Sequence, residues 1–280
     1  MELMEMRTSM QCVFVFAVAL LLFAVIPHSA HGADANALVQ AEIETAEGNF
    51  DAAFETLSDR LADNWLDADA HEAMGRFFEE RDLPEAAIAS YEQAAAILTA
   101  RAVASPRNSE NSKDALYGLM SVSGRISIIY AGIGDYTGAL RWGQQAYYLG
   151  STDAAVLRTL ADNYFSMKRH AFALPVLDRA IAALSASEGE DEIAAVLHSK
   201  RGVASYYTGD FGASLGDYTL AEKFGMSSSE LYGNWAFALE GLERWQDALE
   251  MWLKVSKMDV PSENIDMVKE HIEQCKARIG

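Results

Sequence analysis

The stretch Gly134–Leu140 reads GDYTGAL, and Gly209–Leu215 reads GDFGASL. Each follows an apolar run with helical spacing and opens another. EGNFDAAF (Glu47–Phe54) says much the same a third time, and ERDLPEAAI, KRHAFALPV and LERWQDALE are weaker versions. The small residue just inside each second run falls at Ala53, Ala87, Ala139, Ala173, Ser214 and Ala248. The gaps are 34, 52, 34, 41 and 34. A chain with a fixed period of this length is a stack of like units, each burying its bare apolar face on the next. Gly ends one helix of the unit, Asp caps the next, and the aromatic packs at the turn. With only five prolines and no convincing run of alternating β-branched residues, the expected class is all-α.

A unit of 34 residues accommodates two helices and two turns. Its residue pattern resembles the tetratricopeptide repeat, W-x2-L-G-x2-Y followed by A-x3-F. The match is partial in each copy but recurs in phase. The second copy has Met74, Gly75 and Phe78, then Ala87 and Tyr91; the third has Ile126, Tyr130 and Ala139. The fourth has Leu160, Ala161, Tyr164, Ala173 and Leu177. The fifth has Gly202, Ser205, Ser214 and Tyr218, and the sixth has Trp235, Ala236, Leu239, Ala248 and Trp252. The first departs furthest, with Glu44 at the aromatic position. The resemblance implies a right-handed α-solenoid of about six helix-turn-helix repeats over residues 33–260. Their expected ranges are about 34–67, 68–104, 120–153, 154–187, 195–228 and 229–260. Residues 261–280 contain Ile265, Val268, Ile272 and Cys275 at helical spacing and are expected to form a C-terminal capping helix.

Two insertions interrupt the period. ASPRNSENSKD (Ala104–Asp114) is polar and turn-rich and is expected to be an exposed loop, with part of the added length extending the flanking helices. SASEGEDE (Ser185–Glu192) is a shorter acidic loop.

The apolar run Gln11–Ile26 followed by Ala30-His31-Gly32 has the pattern of a secretory signal peptide over residues 1–32, cut after Gly32. A start at Met6 gives a better basic n-region than one at Met1. The alternative is an uncleaved anchor over residues 11–27, although the run is shorter than the ~20 residues a spanning helix needs. Removing the leader leaves Cys275 as the sole cysteine, so no disulfide forms within the mature chain. Glu2, Glu5 and Arg7 leave −1 on the leader, so the remaining chain carries −18 of the total −19. Such a charge repels nucleic acid and anionic lipid. No membrane contact is expected unless the leader is retained.

No catalytic constellation emerges. GASLG (Gly212–Gly216) matches G-x-S-x-G, but Ser214 falls at the small crossing position of a helical repeat, not on a strand-to-helix elbow. HEAMG at His71 lacks the second histidine of a zinc helix, and His170, His198 and His271 lie in different repeats. Neither a cofactor nor a metal is expected, and the chain reads as a non-enzyme.

Proteins of the resembled family bind partners in a concave groove lined by the first helix of each repeat. The matching positions here are Arg76, Arg125, Arg158, Phe165, Lys200, Tyr206, Asn234 and Phe237. Cations with aromatics between them suit a protein or peptide partner with an acidic segment or free C-terminus. The bland alternative is that Glu72, Glu79, Asp162 and Glu240 neutralise these cations. The expected role is an exported scaffold or adaptor, periplasmic or secreted, in cell-envelope complex assembly. Two rivals stand beside it: a solenoid binding a small ligand or glycan through Trp235, Tyr206 and Phe237, and a membrane-tethered envelope subunit.

Overall fold

The structure is a computed structural model that describes residues 34–184 and 191–280. The leader therefore lies outside the described residues, as does most of the acidic loop at 185–190. Thirteen α-helices and no strand occur among the described residues. They form six antiparallel pairs: α1 (Asp34–Ala46) with α2 (Phe50–Asp63), α3 (Ala68–Glu80) with α4 (Pro84–Ala104), and α5 (Glu110–Gly132) with α6 (Tyr136–Tyr148). The remaining pairs are α7 (Ala154–Ser166) with α8 (His170–Ala183), α9 (Asp191–Tyr207) with α10 (Phe211–Lys223), and α11 (Ser229–Gly241) with α12 (Trp245–Val255). A 3-10 turn at Ser262–Asn264 leads into α13 (Ile265–Ile279), which packs on α12. The chain is an all-α helical-repeat solenoid.

The six small residues that set the period are each fully buried, at 0% exposure, where the two helices of a pair cross. Twelve positions earlier, on the first helix, stand Ala41, Gly75, Ser127, Ala161, Gly202 and Ala236, all small and buried. Four positions later, on the second helix, Leu57, Tyr91, Leu177, Tyr218 and Trp252 fill the groove beside the crossing. The fit is tight: a Cβ on Gly75 would come within 2.7 Å of the Tyr91 ring, and one on Gly202 within 2.6 Å of Tyr218. The third pair departs from this scheme. Gly143 takes the large position, and Ser127 donates to the Ala139 carbonyl at 2.8 Å.

The turn inside every pair is the same object. The backbone N–H groups of Asn49, Leu83, Asp135, Arg169, Asp210 and Arg244 each reach back five residues to the first helix, at 2.7–2.9 Å. This is the Schellman closure, and it requires a left-handed residue just before the donor. Those residues are Gly48, Asp82, Gly134, Lys168, Gly209 and Glu243, with φ of 79°, 54°, 82°, 56°, 85° and 57°. Asp135 and Asp210 then cap the second helix, accepting from Gly138 N and Ala213 N at 3.0 and 2.9 Å.

Two expectations need correction. The 104–114 loop is shorter than its composition indicated: α4 runs to Ala104 and α5 starts at Glu110, ten residues ahead of the range expected for the third repeat. Ser109 accepts from Ser112 N at 3.2 Å and starts the helix early. The two extensions bury Leu98, Ala115 and Leu119 against each other, which outweighs the local preference of Asn and Ser for loops. In α13, Val268, Ile272 and Cys275 are buried as the spacing implied, but Ile265, the first residue of the helix, is 41% exposed.

Candidate functional site

In three couples of successive repeats the first helices touch, α1 with α3, α5 with α7 and α9 with α11, whereas second helices make no comparable contact with the next second helix. Within each couple the packing is therefore closer on the side of the first helices, where the groove is expected. Every residue expected at the site lies on one of these helices: Arg76 on α3, Arg125 on α5, Arg158 and Phe165 on α7, Lys200 and Tyr206 on α9, Asn234 and Phe237 on α11.

The cations are mostly engaged. Arg76 bridges Glu72 at 3.0 Å and Glu42 of α1 at 2.9 Å. Arg125 donates through Nε and Nη2 to Glu79 of α3, at 3.1 and 2.8 Å, and Tyr91 donates to the same carboxylate. Lys200 pairs with Asp162 of α7 at 2.6 Å. Arg76–Glu42, Arg125–Glu79 and Lys200–Asp162 each join one first helix to the preceding one, so these side chains form rungs between repeats. Arg158 is exposed and makes no ion pair among the described residues.

The aromatics divide by depth. Phe237 is half-buried, with its ring 4.9 Å from both Trp252 and His271 and 6.5 Å from Tyr206. Tyr206 also leans on Phe211 at 5.5 Å, and Phe165 meets His170 at 5.3 Å. Tyr206 and Phe237 join neighbouring repeats, Phe165 packs within its own, and all three are half-buried. Tyr207 is different: it is 62% exposed and stacks face to face on His170 at 4.2 Å and 12°. Burial, with a contribution from Lys168, holds the His170 imidazole below its usual range, so a neutral ring backs Tyr207 at pH 7. Sequence reasoning missed Tyr207. The signal was its place one residue after Tyr206, at the last turn of a first helix.

Beneath the C-terminal end of the groove, Glu240 accepts from Trp252 Nε1 at 2.7 Å and His271 Nδ1 at 3.0 Å, tying α11, α12 and α13 together. At the opposite end the surface is acidic. Residues 34–104 carry sixteen Asp and Glu against four Arg and no Lys, a net −12, leaving −6 for the rest of the mature chain. The Glu72 carboxyl is held above its usual range, chiefly by burial, with Asp69 and Glu42 adding while Arg76 and Arg125 oppose.

Outside the groove, an open cavity of about 380 Å³ lies between α8, α9 and α10, walled by Leu174, Ala213 and Leu220. Its floor is a buried network in which Arg201 binds Asp217 through Nε and Nη2, and His198 Nδ1 lies 2.9 Å from the same carboxylate. No group of three metal-binding side chains is arranged to hold an ion among the described residues. Ser214 is sealed in the α9–α10 crossing at 0% exposure.

No protein-family model matches the chain, and no curated protein matches it. Solved structures do. YrrB, described as a TPR protein with an unusual peptide-binding site, matches with a TM-score of 0.58 at 17% identity, over 78% of this chain and 97% of its own. PilF of Pseudomonas aeruginosa matches at 0.55 and 16% identity, over 85% and 97%. PilW, described as a widely conserved type IV pilus biogenesis factor, matches at 0.50 and 12% identity, over 86% and 100%. The chain has the tetratricopeptide-repeat fold. The expected site residues lie on the first helices of the second to sixth repeats, and the acids that answer them, Glu42, Glu72, Glu79 and Asp162, lie on the first helices of the first, second and fourth.

Proposed function

We propose that this TPR solenoid is a non-catalytic adaptor that holds a segment of a protein partner along the inner face of its first helices. One observation carries this reading: the first helices of the C-terminal half present an exposed ring (Tyr207) and an exposed cation (Arg158) among half-buried aromatics. Such a ring, rigid and already stacked, orders little on binding and is a favourable anchor. An acidic side chain or chain terminus of the partner is placed at Arg158, where a guanidinium stands without a carboxylate among the described residues. Arg76, Arg125 and Lys200 serve mainly as rungs between repeats.

The setting we propose is outside the cytoplasm, periplasmic or secreted, with a role in assembling an envelope complex. The apolar run and small-residue site of residues 11–32 support export. No helix among the described residues is long and apolar enough to cross a membrane. The test is affinity capture of partners from an envelope extract, with an Arg158→Glu/Tyr207→Ala variant run in parallel. Both side chains are exposed, so helicity should be unchanged while saturable capture is lost. Equal capture by the variant would overturn the groove as the docking site.

A further inference from the structure

We propose that the groove sorts its occupant by charge along its length: the bound segment carries Lys or Arg residues over α1 and α3 and aromatic or large aliphatic residues over α9 and α11. The inference rests on the groove reading above and adds the chemistry and register of what lies in it.

The inner faces of α1 and α3 bring together Glu42, Asp69, Glu72, Glu79 and Glu80. The cations that reach them are Arg76 and, from α5, Arg125. Five acids against two cations leave a local excess of three negative charges. The internal pairs therefore do not close the balance. Glu80 is exposed with no cation partner among the described residues, and Glu42 remains 57% exposed while bonded to Arg76. The Glu72 carboxyl, partly buried among Asp69 and Glu42, is held above its ordinary range, so a further cation there relieves repulsion already present.

The middle of the groove carries little charge: on α5 and α7, Arg158 is the one cation without an ion pair among the described residues. Beyond Arg125, α5 offers the part-buried Ile128 and Ala131 and the open Gly132, so a peptide backbone can approach closely. At the far end, Asp162 is taken by Lys200, and Glu240 by Trp252 and His271, which leaves the rings of Tyr206, Tyr207 and Phe237 as the dominant surface. A uniformly acidic occupant would meet repulsion over α1 and α3. A uniformly basic one would leave the aromatic end unused. A segment basic at one end and apolar at the other satisfies both.

The test uses three synthetic fluorescein-labelled peptides with one common Leu/Trp half and a second half rich in Lys, Ser or Glu. Binding to the purified protein is followed by anisotropy at low and physiological salt. The Lys peptide is expected to bind at least tenfold tighter than the Ser peptide, and the Glu peptide weaker than both. A Glu42→Gln/Glu80→Lys variant should remove the tenfold preference and leave Ser-peptide binding intact. Tyr207→Ala should weaken all three alike. A Glu peptide that binds as well as the Lys peptide overturns this proposal while leaving the groove reading in place. Lys-peptide binding indifferent to both variants reports diffuse attraction to an acidic protein and also overturns it. If no peptide binds saturably, the groove reading fails, and this inference with it.

Discussion

Two glycines seven residues apart should respond in opposite directions to the same substitution. Gly209 closes α9 with φ of 85°, and Gly216 lies inside α10. A Cβ on either would meet no atom within 4 Å, so side-chain packing drops out and only backbone preference remains. At Gly209 an L-residue must adopt the left-handed conformation, at a cost of about 1–2 kcal/mol. Loss of glycine's freedom in the unfolded chain returns roughly 0.5–1 kcal/mol. Gly209→Ala is therefore expected to destabilise by about 1 kcal/mol. Gly216→Ala carries no conformational cost and should stabilise by about 0.8–1 kcal/mol, the helix-interior difference. The same reasoning reverses at Lys168, which occupies the equivalent turn with φ of 56°. Lys168→Gly should stabilise by roughly 0.5 kcal/mol, because the relief of left-handed strain slightly exceeds the added unfolded-state entropy. The assay is urea unfolding followed by far-UV circular dichroism. Slopes must be compared as well as midpoints, since a repeat array can lose cooperativity. Midpoints that move the same way for Gly209→Ala and Gly216→Ala would refute the reasoning, as would a clear loss of stability in Lys168→Gly.

Three further outcomes are expected. Gly202→Ala places a methyl 2.6 Å from the fully buried Tyr218 ring; it should cost about 1–3 kcal/mol, visible as a lower thermal midpoint. Arg201→Met strands Asp217, which is only 3% exposed, and should destabilise by about 3–5 kcal/mol at neutral pH. Burial alone would raise the Asp217 pKa, but hydrogen bonds from His198 and Arg201 prevail and hold it below the usual value. Its contribution is thus present in full above the unfolded carboxyl's pKa of about 3.9 and lost as pH falls through the depressed folded value. Stability measured against pH should accordingly fall less on the acid side in Arg201→Met than in the parent, and an unchanged acid limb would contradict the pairing. Burial and the neighbouring Glu240 charge push the Cys275 thiol up to about 11; in a Cys12→Ser background it should resist a thiol reagent at pH 8 until urea releases α13, whereas prompt labelling would show that the cap is not closed.

The fold was legible because its rules are local or periodic. The small crossing residues and the αL turns repeat with one spacing, and each of the six expected crossing residues is fully buried. Composition misled only between α4 and α5, where mutual burial of Leu98, Ala115 and Leu119 holds Asn111, Ser112 and Lys113 in a helix. For the expected site residues, the helix that carries each was legible and the ion pairing was not. Arg76 and Arg125 stand on the groove-facing helices, yet whether either is free depends on Glu42 and Glu79, which lie 34 and 46 residues away. Tyr206 and Phe237 look alike in sequence to Tyr207, and only the packing of α10, α12 and α13 shows which ring is covered.

The turns carry one more regularity. Left-handed positions alternate between glycine (48, 134, 209) and a non-glycine residue (82, 168, 243). Residues that follow them alternate too: Asn49, Asp135 and Asp210 against Leu83, Arg169 and Arg244. Gaps of 34 occur inside these couples, and both longer gaps fall between them. The periodic unit is thus two repeats, present three times. Charge follows the same division, since the first couple holds net −12 while the third supplies Tyr206, Tyr207 and Phe237. An extended segment lying in the groove must cross from one couple to the next. Its selectivity then comes from the contrast between couples, which a change confined to one repeat would weaken but not reverse.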